Sequence, residues 1–207
     1  HIWREIIATF TAMQAPYSVI VGPAAEPLAM RDAVRFYFGF SVAVSQAASS
    51  EAAVEAIGGA GSQIAVIAAE GEGAWWLGLC GENAPKILAR LPFIALEGRP
   101  ADLPCYVVAP PLSDASFADI GLYAVSAQNG LAAAAERFGG RLVSRAGAEA
   151  LIELPAPVEP GDLAAELGAA GGALSSIKSV GGFAAPIEVS EMAEQGEPAK
   201  QTRRASQ

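Results

Sequence analysis

Four residues have a side chain and a position that could support chemistry: Gln14, near the end of the first helical stretch; Glu70, directly after an apolar run; and the adjacent pair Ser144 and Arg145. A glutamine amide can donate a hydrogen bond to an oxygen that gains charge, without carrying charge itself. Glu70 follows QIAVIA (63–68), the place where α/β folds present functional groups; between Ala69 and Gly71 it also reads as an ordinary solvated turn. Arg145 with Ser144 can contact a carboxylate, and on an edge strand the same arginine serves solubility. Arg31 and Arg35, one helical turn apart, can bind an anion or pair with Asp32 and Glu26 on a wet face. The one histidine is His1, which removes Ser-His and Cys-His catalysis and His-dependent zinc sites from consideration within this sequence. GEGAWW (71–76) lacks the spacing of a phosphate-cradling loop and no Lys-Ser or Lys-Thr follows it. No cofactor and no metal are expected.

The elements that must position these residues follow from periodicity. YSVIV (17–21), SVAV (41–44) and QIAVIA (63–68) read as buried strands, separated by helix candidates over 26–38 and over SSEAAVEAI (49–57), the second with Ser49 and Ser50 as possible caps. This β-α-β-α-β order predicts a parallel, Rossmann-like sheet covered by helices, with ligands favoured beyond the carboxyl ends of its strands. AWWLGL (74–79), PFIAL (92–96) and PCYVVA (104–109) read as further strands, with a short helix over 85–90. If Trp75 and Trp76 lie in a strand, they face opposite sides of the sheet. PPLSDAS (110–116) marks a boundary. Beyond it, LYAVSA (122–127), GLAAAAERF (130–138), strands over 141–145 and 148–154, DLAAELGAA (162–170) and SSIKSVGGF (175–183) give β-α-β-β-α-β, the ferredoxin-like arrangement. The polar stretch 191–207 cannot bury enough surface to offset its ordering entropy and is expected to be disordered.

Charge and composition narrow the partners. A net charge of -9 argues against nucleic acid or an anionic membrane surface, both of which recruit basic proteins. No stretch approaches the roughly 20 apolar residues of a membrane-spanning helix. Cys80 and Cys105 are too few for a disulfide framework, and no signal-like segment is evident, so a reducing cytoplasm is the expected compartment. The opening HIWREIIATFTAMQAP carries apolar residues at Ile2, Ile6, Ile7, Phe10 and Met13, with no capping residue ahead of Ile2 and Pro16 closing the segment. It reads as the last turns of a longer helix, or as a short terminal helix after a trimmed tag.

Taken in order, these segments resemble the bifunctional chorismate mutase/prephenate dehydratase family. IWREII (2–7), Gln14 and Pro16 match the layout in which a helical mutase domain ends and the dehydratase domain begins. VIVGP (19–23), RDAVRFYFG (31–39), SSEAAVEAI and AVIAAEG (65–71) resemble the strands, turn and helices of the dehydratase. Asn129-Gly130-Leu131, VSRA (143–146) and IKSVGGF (177–183) resemble the appended ACT domain, an amino-acid-sensing module. The resemblance implies a terminal mutase helix over 1–15, a dehydratase-like α/β domain over 16–112, an ACT-like domain over 118–190 and a tail over 191–207. It further implies a homodimer whose ligand is a small carboxylate: chorismate, prephenate or an aromatic amino acid. Gln14 would be the donor to the ether oxygen of chorismate in the presence of further mutase helices, and Glu70, Ser144 and Arg145 would be ligand-binding.

The departures from the family bear directly on activity. The Gly-Thr-Phe-Ser stretch after Gly-Pro is replaced by AAEPLAM (24–30). Glu-Asn-Ser becomes Glu70-Gly71-Glu72, and the Thr-Arg-Phe that serves dehydration and decarboxylation is replaced by LPCYVV (103–108), which has neither threonine nor arginine. The span from Glu70 to Leu103 is too short for the family's second lobe. Prephenate is a dianion, and a cleft holding Glu70 and Glu72 without a matched arginine repels it. Loss of dehydratase activity is expected, leaving either a regulatory region of a mutase-type protein or a stand-alone module that senses a small carboxylate.

Overall fold

The computed structural model describes residues 2–57, 62–95, 101–112, 118–155, 158–170 and 172–188. Among the described residues the architecture is mixed α/β, with five α-helices and a nine-stranded mixed sheet. The expectations for the Ser113–Ser116 linker and for residues 191–207 lie outside the described residues.

The first half builds outward from β1 (Ser18–Val21), whose Val19, Ile20 and Val21 are all buried. α2 (Pro27–Phe38) starts with proline at its first turn, where the missing N–H has no helical partner to lose. It leads to β2 (Ala43–Gln46), parallel to β1, and α3 (Ser50–Ile57) leads to β3 (Gln63–Ala68), parallel to β1 on its other side. β2 lies two residues later than SVAV predicts.

Beyond β3 the structure corrects the sequence reading. Trp75–Leu79 is a 3-10 helix, not a strand, and both indoles are buried together at a centroid separation of 6.0 Å. Successive residues of such a turn lie about 120° apart, so neighbouring side chains can both face inward, as they cannot in a strand. Lys86–Leu91 is the strand β4 in place of the short helix, with Ile87 and Leu91 buried. Its partners on both sides, β6 (Cys105–Ala109) and β10 (Leu174–Phe183), settle a segment whose local pattern is ambiguous. Among the described residues of PFIAL, Ile94–Ala95 forms a strand, β5, which pairs with β11 (Ile187–Glu188) apart from the main sheet; Leu96 lies outside the described residues. β6 runs antiparallel to both β3 and β4, so the sheet is mixed, not parallel throughout.

The second half comprises β7 (Ile120–Ala127), α4 (Leu131–Arg137), β8 (Arg141–Ala146), β9 (Glu149–Pro155), α5 (Pro160–Ala169) and β10. Its strands stand in the order β10-β7-β9-β8, each pair antiparallel. The complete order is β2-β1-β3-β6-β4-β10-β7-β9-β8, one sheet through both halves. In the sheet the joint is a single residue pairing, Gly181 with Ile87, and one apolar core runs under both halves, from Ile20 and Val54 to Leu122, Leu151 and Phe183.

α1 (Ile2–Gln14) docks by an unusual face. Ala8 is its one buried residue; Glu5 accepts hydrogen bonds from the Phe40 and Ser41 backbone N–H groups at 2.8 and 3.0 Å, and the Arg4 guanidinium lies 3.8 Å from the Phe36 ring centre. Gly39 makes this approach possible. Its φ is +84°, and a Cβ there would stand 2.8 Å from Glu5 Oε2 and 3.0 Å from the Ala8 Cβ. Gly39→Ala is therefore expected to cost about 1–3 kcal/mol in backbone strain and to loosen α1. The check is the fluorescence anisotropy of Trp3, which should fall, while near-ultraviolet dichroism from Trp75 and Trp76 stays unchanged.

Candidate functional site

The carboxyl ends of β1 and β2 and the overlying α2 enclose a cleft of about 640 Å³. Val21, Met30, Val34 and Val44 give it an apolar floor, and Arg31, Ser45 and Gln46 stand among its lining residues. Gln46 Nε2 donates to the Gly22 carbonyl at 3.2 Å, fixing the two strand ends to each other. Among the described residues, the lining holds no carboxylate, histidine, cysteine or lysine. Such a cleft can hold an apolar body with an anionic group against Arg31, and it offers no pair for proton transfer. Arg31 and Asp32 approach to 3.9 Å with both side chains about two-thirds exposed, a contact worth little in water. Arg35 is differently employed: its guanidinium donates to the carbonyls of Gly39, Phe40 and Val42, closing the carboxyl end of α2.

The neighbouring turns, after β1 and after β3, meet at the start of α3. Ser49 is the cap, its hydroxyl accepting from Ala52 N–H at 3.1 Å. Ser50 is buried, and its hydroxyl has no hydrogen-bond partner. A Cβ on Gly22 would lie 3.2 Å from that hydroxyl and one on Gly71 3.4 Å, so the two glycines let both turns close on the helix. Glu70 is exposed on the second of these turns.

The other predicted residues lie elsewhere and are not brought together with Glu70. Gln14 is exposed at the last position of α1. Ser144 sits on β8, the far edge of the sheet, beside a register shift. The exposed Arg145 donates to the carbonyls of Gly147 at 2.9 Å, Ala127 at 3.3 Å and Gln128, pinning the β8–β9 turn to the end of β7.

A polar cluster that sequence reasoning missed joins the two halves. The Tyr106 hydroxyl donates to Glu153 Oε1, Arg141 Nε donates to Oε2 at 2.6 Å, and Arg90 Nε stands 3.9 Å from Oε1. Tyr106 is on β6 and Glu153 on β9, so the halves of the sheet close on each other at this point. Glu153 is only 5% exposed, and burying a carboxylate is tolerable only with charged and hydrogen-bonding partners of this kind. Burial, then the neighbouring Glu153 charge, pushes the Tyr106 phenol well above its ordinary range. The hydrogen bond to Glu153 raises Arg141 further. The available signal was a single carboxylate within the apolar run ALIELP (150–155).

A phenol whose pKa is raised in the folded state stays protonated there while the unfolded phenol ionises, so alkaline pH favours the unfolded chain. Its contribution is intact below the ordinary value of 10.0 and is lost as pH climbs beyond it towards the folded-state value. Wild-type stability is expected to decline above about pH 10, and Tyr106→Phe, less stable at neutral pH, should show a shallower decline. Urea midpoints from pH 8 to 11.5 measure both.

No family model and no curated protein matches the chain. A solved structure described as GqqA, a novel type of quorum quenching acylase, is similar at 9% identity with a TM-score of 0.48, covering 81% of this chain and 94% of that one. A likeness at that level transfers neither fold nor activity.

Proposed function

We propose that this chain is the carboxyl-terminal region of a chorismate mutase-type protein of aromatic amino-acid biosynthesis, in which a prephenate dehydratase-like domain has lost its chemistry and an ACT-like unit serves regulation or dimerisation. The observation that carries this reading is the orientation of α1. Trp3, Ile6, Phe10 and Met13 follow one another at steps of three, four and three residues, the seam spacing of packed helices. They point away from the body, at 76%, 38%, 60% and 72% exposure, while the polar and small face of Arg4, Glu5 and Ala8 is turned inward. An amphipathic helix docked by its polar side leaves its apolar seam for other helices, as the end of a helical mutase domain does.

Several features support the rest of the reading. Parallel β2-β1-β3 with α2 and α3 as crossovers suits one Rossmann-like lobe, and the antiparallel order β10-β7-β9-β8 with α4 and α5 suits a ferredoxin-like, ACT-like unit. Where the dehydratases carry Thr-Arg-Phe, β6 holds the buried run Cys105–Val108. Burial pushes the Cys105 thiol up to about 12, which makes it an inert packing group at neutral pH. Gln14, at the outer end of α1, is available to a site completed by other helices. There a neutral donor to the ether oxygen of chorismate stabilises the charge that develops during rearrangement. The partners in this reading are a small carboxylate and a second copy of the chain, without cofactor, in the cytoplasm.

The test is chorismate consumption by a parent chain carrying the mutase helices, with this segment assayed beside it. The parent should turn over, Gln14→Leu in the parent should lose most of that turnover, and the segment should do nothing. A parent indifferent to Gln14→Leu would refute the assignment. The cleft under α2 favours a second reading, a non-catalytic module that senses an aromatic amino acid or related carboxylate. Calorimetry with phenylalanine, tyrosine, prephenate and chorismate tests it, saturable binding without turnover being the supporting result.

A further inference from the structure

A second cavity lies at the other end of β1, between α1 and the body. It encloses about 270 Å³ and is lined on the α1 side by Arg4, Ala8 and Thr11, and on the body side by Tyr17, Tyr37 and Phe93. We infer that this cavity is a binding site for a small carboxylate carrying one six-membered unsaturated ring.

The walls set the ring. Tyr37 and Phe93 meet edge to face at 5.5 Å between centroids, and Tyr17, part-buried, provides a third aromatic surface. Aromatic faces and edges set in this way receive another ring by stacking or edge contact. The volume sets the number of rings, because drug-sized ligands need pockets of roughly 300 to 1,000 Å³ and this one falls just below that range.

Arg4 sets the charge. Its guanidinium stacks on Phe36 at 3.8 Å, and no described carboxylate forms an ion pair with it. Stacking holds the plane of a guanidinium while leaving its N–H edge free, the geometry that takes a carboxylate in two parallel hydrogen bonds. The nearest acid on the same helix, Glu5, has its oxygens turned to the Phe40 and Ser41 amides, which draw its pKa down and hold it ionised, and its charge reaches the cavity at Tyr17. The site uses the flank of α1 and leaves the outward seam untouched, so it stands whether or not the mutase reading does.

Phenylacetate is the probe, with acetate lacking the ring and benzyl alcohol lacking the carboxylate. Titration of the full 207-residue chain, followed by amide chemical shifts, should saturate at about 1 mM, the affinity a ligand of ten non-hydrogen atoms reaches at ordinary efficiency. Neither control should saturate in that range. Arg4→Gln should weaken binding about tenfold or more. Thr11→Trp keeps Arg4 in place, fills the cavity from the exposed side of α1 and should abolish binding, with an unchanged far-ultraviolet spectrum showing that the chain is folded. Absence of saturation by phenylacetate, equal binding of a control, or binding that survives Thr11→Trp would each overturn the site, the last placing the ligand in the cleft under α2.

Discussion

Glu153→Ala is expected to lower the unfolding free energy by about 2–3 kcal/mol, the cost of leaving a buried phenol without its acceptor and two part-exposed arginines without their counter-ion. Removing the carboxylate strands Arg141, whose Nε donates to it at 2.6 Å, leaves Arg90 without an opposing charge, and takes the acceptor from the buried Tyr106 hydroxyl. The positive excess of the two arginines adds repulsion to lost hydrogen bonds. Urea unfolding followed by circular dichroism gives the value. The variant that turns the whole cluster apolar, Glu153→Leu with Arg141→Leu, Arg90→Leu and Tyr106→Phe, should be closer to wild type than Glu153→Ala, because the penalty arises from broken pairing and not from the absence of charge. A single substitution without measurable cost would mean that the cluster is solvated and does not join the halves.

Gly181→Val should do greater damage by steric means. The glycine has φ of +139°, which side-chain-bearing residues rarely adopt, and a Cβ there would lie 2.2 Å from the Ile87 carbonyl oxygen and 2.5 Å from its nitrogen. Backbone atoms of the neighbouring strand cannot swing aside as a side-chain tip can. The expected loss is about 4 kcal/mol or more, with unfolding broadened as the two halves uncouple. Residues 18–109 and 120–183 should then be less tightly coupled, since β4 and β10 pair at this position alone and the shared apolar core and the Tyr106–Glu153 cluster are what still spans the two. Hydrogen exchange resolves the two sets of amides, and a single transition at the wild-type midpoint would contradict the account.

Both substitutions act where the halves join, and this was the least legible part of the sequence. Contiguous apolar runs such as SVIV and QIAVIA announced β1 and β3, the capping Ser49 announced α3, and the β-α-β-β-α-β order of the second half could be read from spacing alone. Those signals are local. KILARL has none so strong: its strand state comes from β6 on one side and Gly181 on the other, both remote in sequence. The Trp75–Leu79 turn misled for a related reason, since two adjacent tryptophans announce burial without saying which backbone lets both face inward.

The candidate site was partly legible. That α/β crossovers leave a cleft beyond β1 and β2 follows from topology, and Arg31 and Arg35 were visible as a one-turn pair, but only the structure assigns Arg35 to three backbone carbonyls. Arg145 is a similar case, its guanidinium turned to three carbonyls at the β8–β9 turn. Tyr106, Arg90, Arg141 and Glu153 are dispersed over four strands, and only chain folding makes them a cluster. The inverted docking of α1 was illegible too, because periodicity reveals an apolar face but not which way it turns.

In the function proposed above, residues able to process a dianionic prephenate are missing from this chain, and its part is to hold, sense or assemble. Incubating the purified 207-residue chain with prephenate at neutral pH and following phenylpyruvate tests this most directly. The prediction is a rate equal to that of buffer alone at every protein concentration; phenylpyruvate formed in proportion to protein would contradict it.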